Sequence, residues 1–480
     1  MFYLTNYILI RKEHFGTVIF CPSLQKYVID NKFFKLFPYF KKGTDSPPLL
    51  RNFSSFSKNE LSYFIQSLLK YGILTTKKNI PSTIRIITNK FVSKDCLSFP
   101  RAVYLECTNR CNYNCIFCYQ GEKLEKKDFD LFLLKKLTKE MRRYGTSFVS
   151  IGGGEPLLYP FLFQAIQEIQ EKGIQTEIVT NGSLFNKTNI KQLKATGLRF
   201  VQVSLDSSNE KTYSILRKGG NFKKVIKNIE MLAKEGFEVC ISMVLTKLNF
   251  KEIDKVIELS KKLGAAQFRI IHLREIGRAK KLSSLQLNGT ELQTIYRYLI
   301  EKRKREKKIK IVFNPNLIIP LVENIKWIPK SHYGCIAGRS ICGIDPVGDV
   351  YPCPFLKSKE LTCGNIKNES LKKIWENSSV LKKIRNIKKL EGKCKKCNFL
   401  KICKGGCRNL AYFKRNRIND SNFLCSVGKR IDEKLLKKIS PEFRFQTTEE
   451  NIVENLRNFI ENGNKFLSKY ESYEILPCFD

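Results

Sequence analysis

The chain is 480 residues long, with 42% hydrophobic and 27% charged residues, 17 cysteines and a formal net charge of +41. That apolar content excludes a largely disordered protein, and the length predicts two or three domains of roughly 100–200 residues each. No run of about 18 apolar residues occurs, and the N-terminal MFYLTNYILIRK puts its charge after the apolar stretch, the reverse of a secretory signal. The expectation is a soluble, cytoplasmic protein with no membrane partner. The basic excess is mostly Lys and spread along the chain, so no dedicated nucleic-acid partner is expected either.

In chain order, residues 1–80 predict a small α+β unit. YILIRK, GTVIFC and QKYVID are short β-type runs, NKFFKLFPYF has helical spacing, and ELSYFIQSLLKYGIL is an amphipathic helix ending at Gly72. Residues 81–99 read as a linker. From AVYLECT onward strand and helix alternate. SFVSIGG, IQTEIVTNG, RFVQVSLD, FEVCISMVL and AQFRIIHL read as strands, separated by helical segments that mostly close on Gly. Six strands in this alternation predict a parallel sheet, open or closed into a barrel. Residues 289–310 predict a very basic helix with a solvated face, closing a unit over 100–310. Residues 311–334 read as an extended bridge, 335–428 as a short-elemented, Gly-rich cysteine domain, and 429–480 as a helical extension.

Seventeen cysteines in a chain without a secretory signal point to metal or redox chemistry rather than disulfides. Cys111, Cys115 and Cys118 follow the first strand in CNYNCIFC. Three thiolates on one tight loop hold three irons of a [4Fe–4S] cluster and leave the fourth open to an outside ligand. Structural zinc needs four donors, and the only nearby thiol, Cys107, lies on the preceding strand, where packing is expected.

This loop, with Phe117 before its last cysteine, resembles the radical S-adenosylmethionine (SAM) family, and later motifs follow in family order. Gly152-Gly153-Gly154-Glu155-Pro156 is similar to the motif that receives the SAM amino group, with Glu155 as its anion. Ser204 and Asp206 resemble ribose-contacting positions, and Arg217 resembles the arginine that pairs with the SAM carboxylate. Thr180-Asn181-Gly182 is similar to a family turn. The resemblance spans roughly 100–275 and implies a partial (β/α)6 barrel with ligands at the C-terminal strand ends. It also implies the chemistry: SAM splits to methionine and a 5′-deoxyadenosyl radical, which takes a hydrogen from the substrate.

The second cysteine region, Cys335, Cys353, Cys394, Cys397, Cys403, Cys407 and Cys425, with GCIAGR, PVGDVYPCPF and GGCR, resembles the SPASM extension. Carried over by position, Cys335, Cys353 and Cys407 serve a first auxiliary [4Fe–4S] cluster. Cys394, Cys397, Cys403 and Cys425 serve a second, making three clusters in all, and Cys342 is expected to complete the first. Cys363 is a surplus thiol, and Cys21, Cys96, Cys240 and Cys478 are expected to be structural. A zinc ribbon is the alternative for paired cysteines, with a basic nucleic-acid binder as its function.

Residues 1–80 resemble the winged-helix recognition element of ribosomal-peptide maturases, which implies a precursor peptide bound as an added strand. An electron donor such as ferredoxin or flavodoxin is implied as well. Sulfatase-maturing relatives have an aspartate base where this chain has Pro354, and His14, His272 and His332 fall in no motif, so the sequence names no acid–base residue. The expected function is oxidative modification of a peptide, most simply a thioether or other cross-link. A maturase of a tetrapyrrole or other small-molecule cofactor is the alternative.

Overall fold

The computed structural model describes residues 1–440 except 7, 22–25, 46–54, 81–82, 93–95, 122–125, 314–333, 388–389, 398 and 426–431. Most of the expected bridge at 311–334, His332, Cys478 and most of the C-terminal extension lie outside the described residues.

The N-terminal unit is built on a four-stranded sheet. Strands β2 (Leu9–Glu13), β3 (Gly16–Phe20) and β4 (Lys26–Ile29) form an antiparallel meander. A short pair, β1 (Tyr3–Leu4) with β5 (Leu74–Thr75), lies beside it. The stretch read as a linker supplies β6 (Arg85–Thr88), which pairs in parallel with β2, so the unit extends past residue 80. The sheet order is β4-β3-β2-β6. The 3-10 turn Asn31–Leu36 and the helices Phe37–Lys42 and Lys58–Lys70 cover one face through Phe33, Phe37, Phe40, Phe64 and Leu68. Ser57 caps the longer helix by accepting from the Glu60 N–H.

The predicted alternation is present. Strands β7 (Ala102–Thr108), β8 (Phe148–Gly153), β9 (Gln175–Thr180), β10 (Phe200–Ser204), β11 (Glu238–Leu245), β12 (Gln267–His272) and β13 (Lys310–Phe313) run parallel and in chain order. Their alternate apolar residues, such as Val201, Val203, Val239, Ile241 and Ile270, are buried in the core under the intervening helices. The helix Gly289–Arg305 departs from the expected solvated face. Leu292, Ile295, Tyr296, Tyr298 and Leu299 are buried in the core, and the helix Glu433–Ile439 packs there too through Leu435, Leu436 and Ile439. Only its final turn, Lys302–Arg305, carries the basic run.

The cysteine-rich region is not a separate body. Strand β14 (Ile341–Ile344) pairs in parallel with β7, and β15 (Asp349–Tyr351) and β16 (Gly364–Asn365) extend the same ten-stranded sheet.

The N-terminal unit docks on the N-terminal ends of the barrel strands. Arg11, fully buried, donates to the Gly145 carbonyl (2.7 Å) just before β8 and pairs with Glu13 (2.7 Å). Glu13 accepts from the Ser98 N–H and hydroxyl (3.0 Å each). Arg85 donates to the carbonyls of Thr146 and Gly173 (2.9 Å each). These buried, charge-assisted bonds fix the unit firmly, since removing one partner strands the other without water.

Candidate functional site

At the opposite, C-terminal ends of the barrel strands lies a cavity of about 590 Å³. That is within the range of small-molecule sites. Cys111, Cys115 and Cys118 line it together with Phe117, Gly153, Gly154, Ser204 and Arg217. The loop that carries the three cysteines is braced on several sides. Asn114 and Ile116 donate backbone N–H groups to the carbonyls of Lys218 (2.8 Å) and Leu216 (3.1 Å). Arg278, in the turn after β12, donates to the carbonyls of Cys115 (2.8 Å) and Gly121 (2.9 Å). Cys107 is buried and directs its thiol to the Gly152 carbonyl, as packing requires.

The glycines of the motif sit where β8 passes close to β7 and its exit. A Cβ at Gly154 would stand 2.1 Å from the Arg110 carbonyl, and one at Gly152 would stand 2.2 Å from the Tyr104 hydroxyl. These glycines let β8 pass against the exit of β7, while the backbone of Gly153 and Gly154 still faces the cavity. Glu155 does not line the cavity. Its carboxylate is wholly buried and accepts from the Thr180 hydroxyl (2.6 Å) and the Asn181 N–H (2.8 Å). Burial raises its pKa, against which those hydrogen bonds work. Asn181 in turn donates to the side chain of Asn112 (2.9 Å), beside Cys111. The motif, the turn at 180–182 and the cysteine loop are thus one hydrogen-bonded assembly.

Asp206 is likewise turned away from the cavity. Its carboxylate pairs with Arg217 and accepts from the Val244 N–H (2.7 Å). It positions Arg217. Burial opposes the Arg217 charge, but Asp206, Cys115 and Tyr213 together hold its pKa above the ordinary value. The guanidinium lies 5.6 Å from the Phe117 ring centroid and 3.7 Å from Cys115 Sγ.

The second cysteine region sorts into two sets. The thiols of Cys335 and Cys407 are hydrogen-bonded, which lowers the first and raises the second, and Cys353 lies within electrostatic reach of Cys335. Cys394, Cys397, Cys403 and Cys425 lie within reach of one another. Cys403 and Cys407, with only three residues between them, belong to different sets because Lys404, Gly405 and Gly406 all take positive φ (45°, 83° and 67°) and reverse the chain.

Cys342 stands apart from both sets. It is fully buried on β14, in the core with Val103 and Trp375, and within electrostatic reach of Cys363 and Arg385. Its neighbour Ile341 packs with Cys353 on the other face. Side chains alternate along a strand, so Cys342 points away from the set it was expected to complete.

Residues 105–260 match the Radical SAM superfamily, and residues 335–398 match the SPASM iron-sulfur cluster-binding domain. The AdoMet-dependent heme synthase of Methanosarcina barkeri is 30% identical over 328 residues, covering 65% of this chain and 92% of that protein. The chain belongs to the radical SAM superfamily. The mycofactocin maturase MftC of Mycobacterium tuberculosis is 29% identical over 66% of this chain and 80% of its own length. Among solved structures, Streptococcus suis SuiB bound to precursor peptide SuiA shares the fold, with a TM-score of 0.70 at 20% identity over 88% of this chain and all of SuiB. This radical SAM enzyme therefore requires SAM and a [4Fe–4S] cluster, and its SPASM domain holds additional iron-sulfur clusters. The zinc-ribbon alternative falls with that match. No described helix is long and apolar enough to cross a membrane.

Several cavity residues carried no motif in the sequence. Tyr104, Glu177, Arg269, His272, Arg274 and Phe355 line it from three strands, the turn after β12 and the SPASM segment. Tyr104 sits two positions from Glu106, a buried carboxylate that pairs with Lys357 (2.7 Å) across the barrel–SPASM junction. The alternation of each strand does predict which residues point inward, but not which of those reach a shared space.

Proposed function

We propose that the chain is a peptide-maturing radical SAM enzyme with three [4Fe–4S] clusters. In this reading Cys111, Cys115 and Cys118 hold the open-iron cluster, and Gly153, Gly154, Ser204, Phe117 and Arg217 receive SAM. Glu155 and Asp206 act from behind, by fixing the turn at 180–182 and Arg217. Cys335, Cys353 and Cys407 would hold the first auxiliary cluster, and Cys394, Cys397, Cys403 and Cys425 the second. When loaded, SAM and the first cluster supply the radical that takes a hydrogen from substrate. The auxiliary clusters suit a reaction in which the substrate loses electrons, and a ferredoxin or flavodoxin supplies the priming electron.

The N-terminal unit carries the peptide assignment. Both curated relatives cover about two thirds of the chain, whereas the match to SuiB covers 88%, more than the part that follows that unit. Among the described residues no strand pairs with the outer edge of β4. Its backbone groups are available to an extended peptide, as strand addition requires. The unit sits on the face of the barrel opposite the cavity, so a peptide held there reaches the site by its own length, which raises its local concentration. The test is removal of residues 1–92 and, in the intact enzyme, competition by a leader fragment. A precursor peptide from a neighbouring reading frame should lose modification in the first and slow in the second. Unchanged rates in both would make the unit merely structural.

A second reading, maturation of a tetrapyrrole or other small-molecule cofactor, is favoured by the 30% identity to the heme synthase. It leaves the N-terminal sheet without a role.

A further inference from the structure

Joining two substrate groups oxidatively releases a proton as well as an electron, so a cross-linking site needs a group that takes the proton. Few residues of the cavity wall can. Arginine and lysine are already protonated, and tyrosine hydroxyls stay protonated at neutral pH, with burial pushing that of Tyr104 further up. His272 follows the pleat of Phe268 and Ile270, which face the core, and both its ring nitrogens are buried without a hydrogen bond.

Glu177 is built differently. It is the only lining carboxylate among the described residues and is 6% exposed. On β9 it faces the cavity with Val179, while Ile178 between them faces the core. It lies in register with Ser150 of β8, below the strand ends that carry Gly153 and Ser204. Its Oε1 accepts from the Ser150 hydroxyl (2.8 Å), and among the described residues no hydrogen bond reaches Oε2. Burial pushes its pKa up, while the Arg269 charge and the Ser150 hydrogen bond pull it back. Arg269 is itself held by Gln202 (2.6 Å). The remaining neighbours add no charge. Phe200 of β10 stands opposite in register, and burial pushes the nearby Cys240 thiol of β11 up to about 11. The helix Leu162–Glu171, packed against β9, buries Leu162, Ala165, Ile166 and Ile169, and Glu155 is engaged with Thr180 and Asn181. A buried carboxylate in a cleft, with its pKa set by burial against one specific charge, is suited to acid–base work.

We infer that Glu177 takes the proton released when the new bond of the substrate closes. A hydrogen atom passes from a substrate carbon to the 5′-deoxyadenosyl radical. That carbon then bonds to the sulfur or aromatic carbon of a second residue, whose S–H or C–H bond breaks. The proton goes to Glu177 Oε2, and the remaining electron goes to an iron-sulfur cluster of the SPASM domain. The inference rests on the peptide reading and narrows it to bond-forming chemistry, since loss of carbon dioxide from an ionised carboxylate releases an electron but no proton.

The test uses anaerobically reconstituted full-length enzyme and the precursor peptide from a neighbouring reading frame. The quantity read is cross-linked peptide formed per 5′-deoxyadenosine. Glu177→Gln should lower that ratio by about a hundredfold or more, as loss of a general base does, and Glu177→Asp should restore part of it. In the parent the ratio should fall with acid through a midpoint above the ordinary carboxylate value, because only the ionised form accepts a proton. Ser150→Ala removes a bond that favours the ionised form, so it should move that midpoint up. Iron content and peptide affinity equal to the parent's separate these effects from a disturbed barrel. An unchanged ratio in Glu177→Gln, or product and 5′-deoxyadenosine lost in proportion, overturns the inference and leaves a peptide substrate standing. Where Glu177→Gln fails to hold iron, Ser150→Ala decides, and an unmoved midpoint overturns the inference. A decarboxylated peptide as the parent's product overturns it alone, whereas a peptide left unmodified by the parent overturns the peptide reading and the inference with it.

Discussion

The two cysteine regions reach their geometry by different routes. Cys111, Cys115 and Cys118 sit within eight residues on one loop, and the rest of the barrel only braces that loop, through Asn181, Leu216, Arg217, Lys218 and Arg278. The SPASM cysteines are scattered over some ninety residues and are sorted by topology: a reversal at Lys404–Gly406 divides Cys403 from Cys407, and the pleat of β14 removes Cys342. A local site is written in spacing. A dispersed one is written in the fold.

The comparison breaks most sharply at the first loop. Cys115→Ala should abolish 5′-deoxyadenosine formation and remove about four irons per chain, because two thiolates leave no stable open-iron cluster. Retained SAM cleavage would mean that the loop is not the site. In the second region Cys353→Ala should lower iron by up to about four per chain while uncoupled SAM cleavage persists, since the cysteine loop and the SAM-facing groups are untouched. Loss of cleavage together with that iron would show that the two regions are one functional unit.

The smallest effect is expected at Cys342. Cys342→Ala should leave iron content unchanged and destabilise the protein by about 1–2 kcal/mol, the range for trimming a small buried side chain. A loss of about four irons would restore Cys342 as a ligand and require β14 to turn over. That variant sharpens the comparison, because it tests strand alternation against motif spacing at one residue.

Much of the barrel was legible beforehand. Strand-type runs bounded by Gly and amphipathic helices between them locate β8 through β12 nearly to the residue, because the helix-facing positions of each strand stay apolar while only some cavity-facing ones turn polar. Strand β6 was not legible: Arg85–Thr88 is a four-residue segment whose partner β2 lies over seventy positions away. The burial of the helix Gly289–Arg305 was hidden for another reason. Its terminal run of cations dominated the reading, while Leu292, Ile295 and Leu299 on the earlier turns face the core.

What the sequence determined alone is the chemistry that depends on neighbours in the chain: three thiols on one loop, a glycine run that only a close chain crossing needs, and the alternation that makes a parallel sheet. The tertiary structure decided what depends on distant residues meeting. It turned Glu155 and Asp206 away from the cavity to hold Thr180, Asn181 and Arg217, and it set Cys342 on the core face. It also brought His272, Arg274 and Phe355 to one wall. Spacing along a strand says which way a side chain points, but only packing against another element decides what it meets.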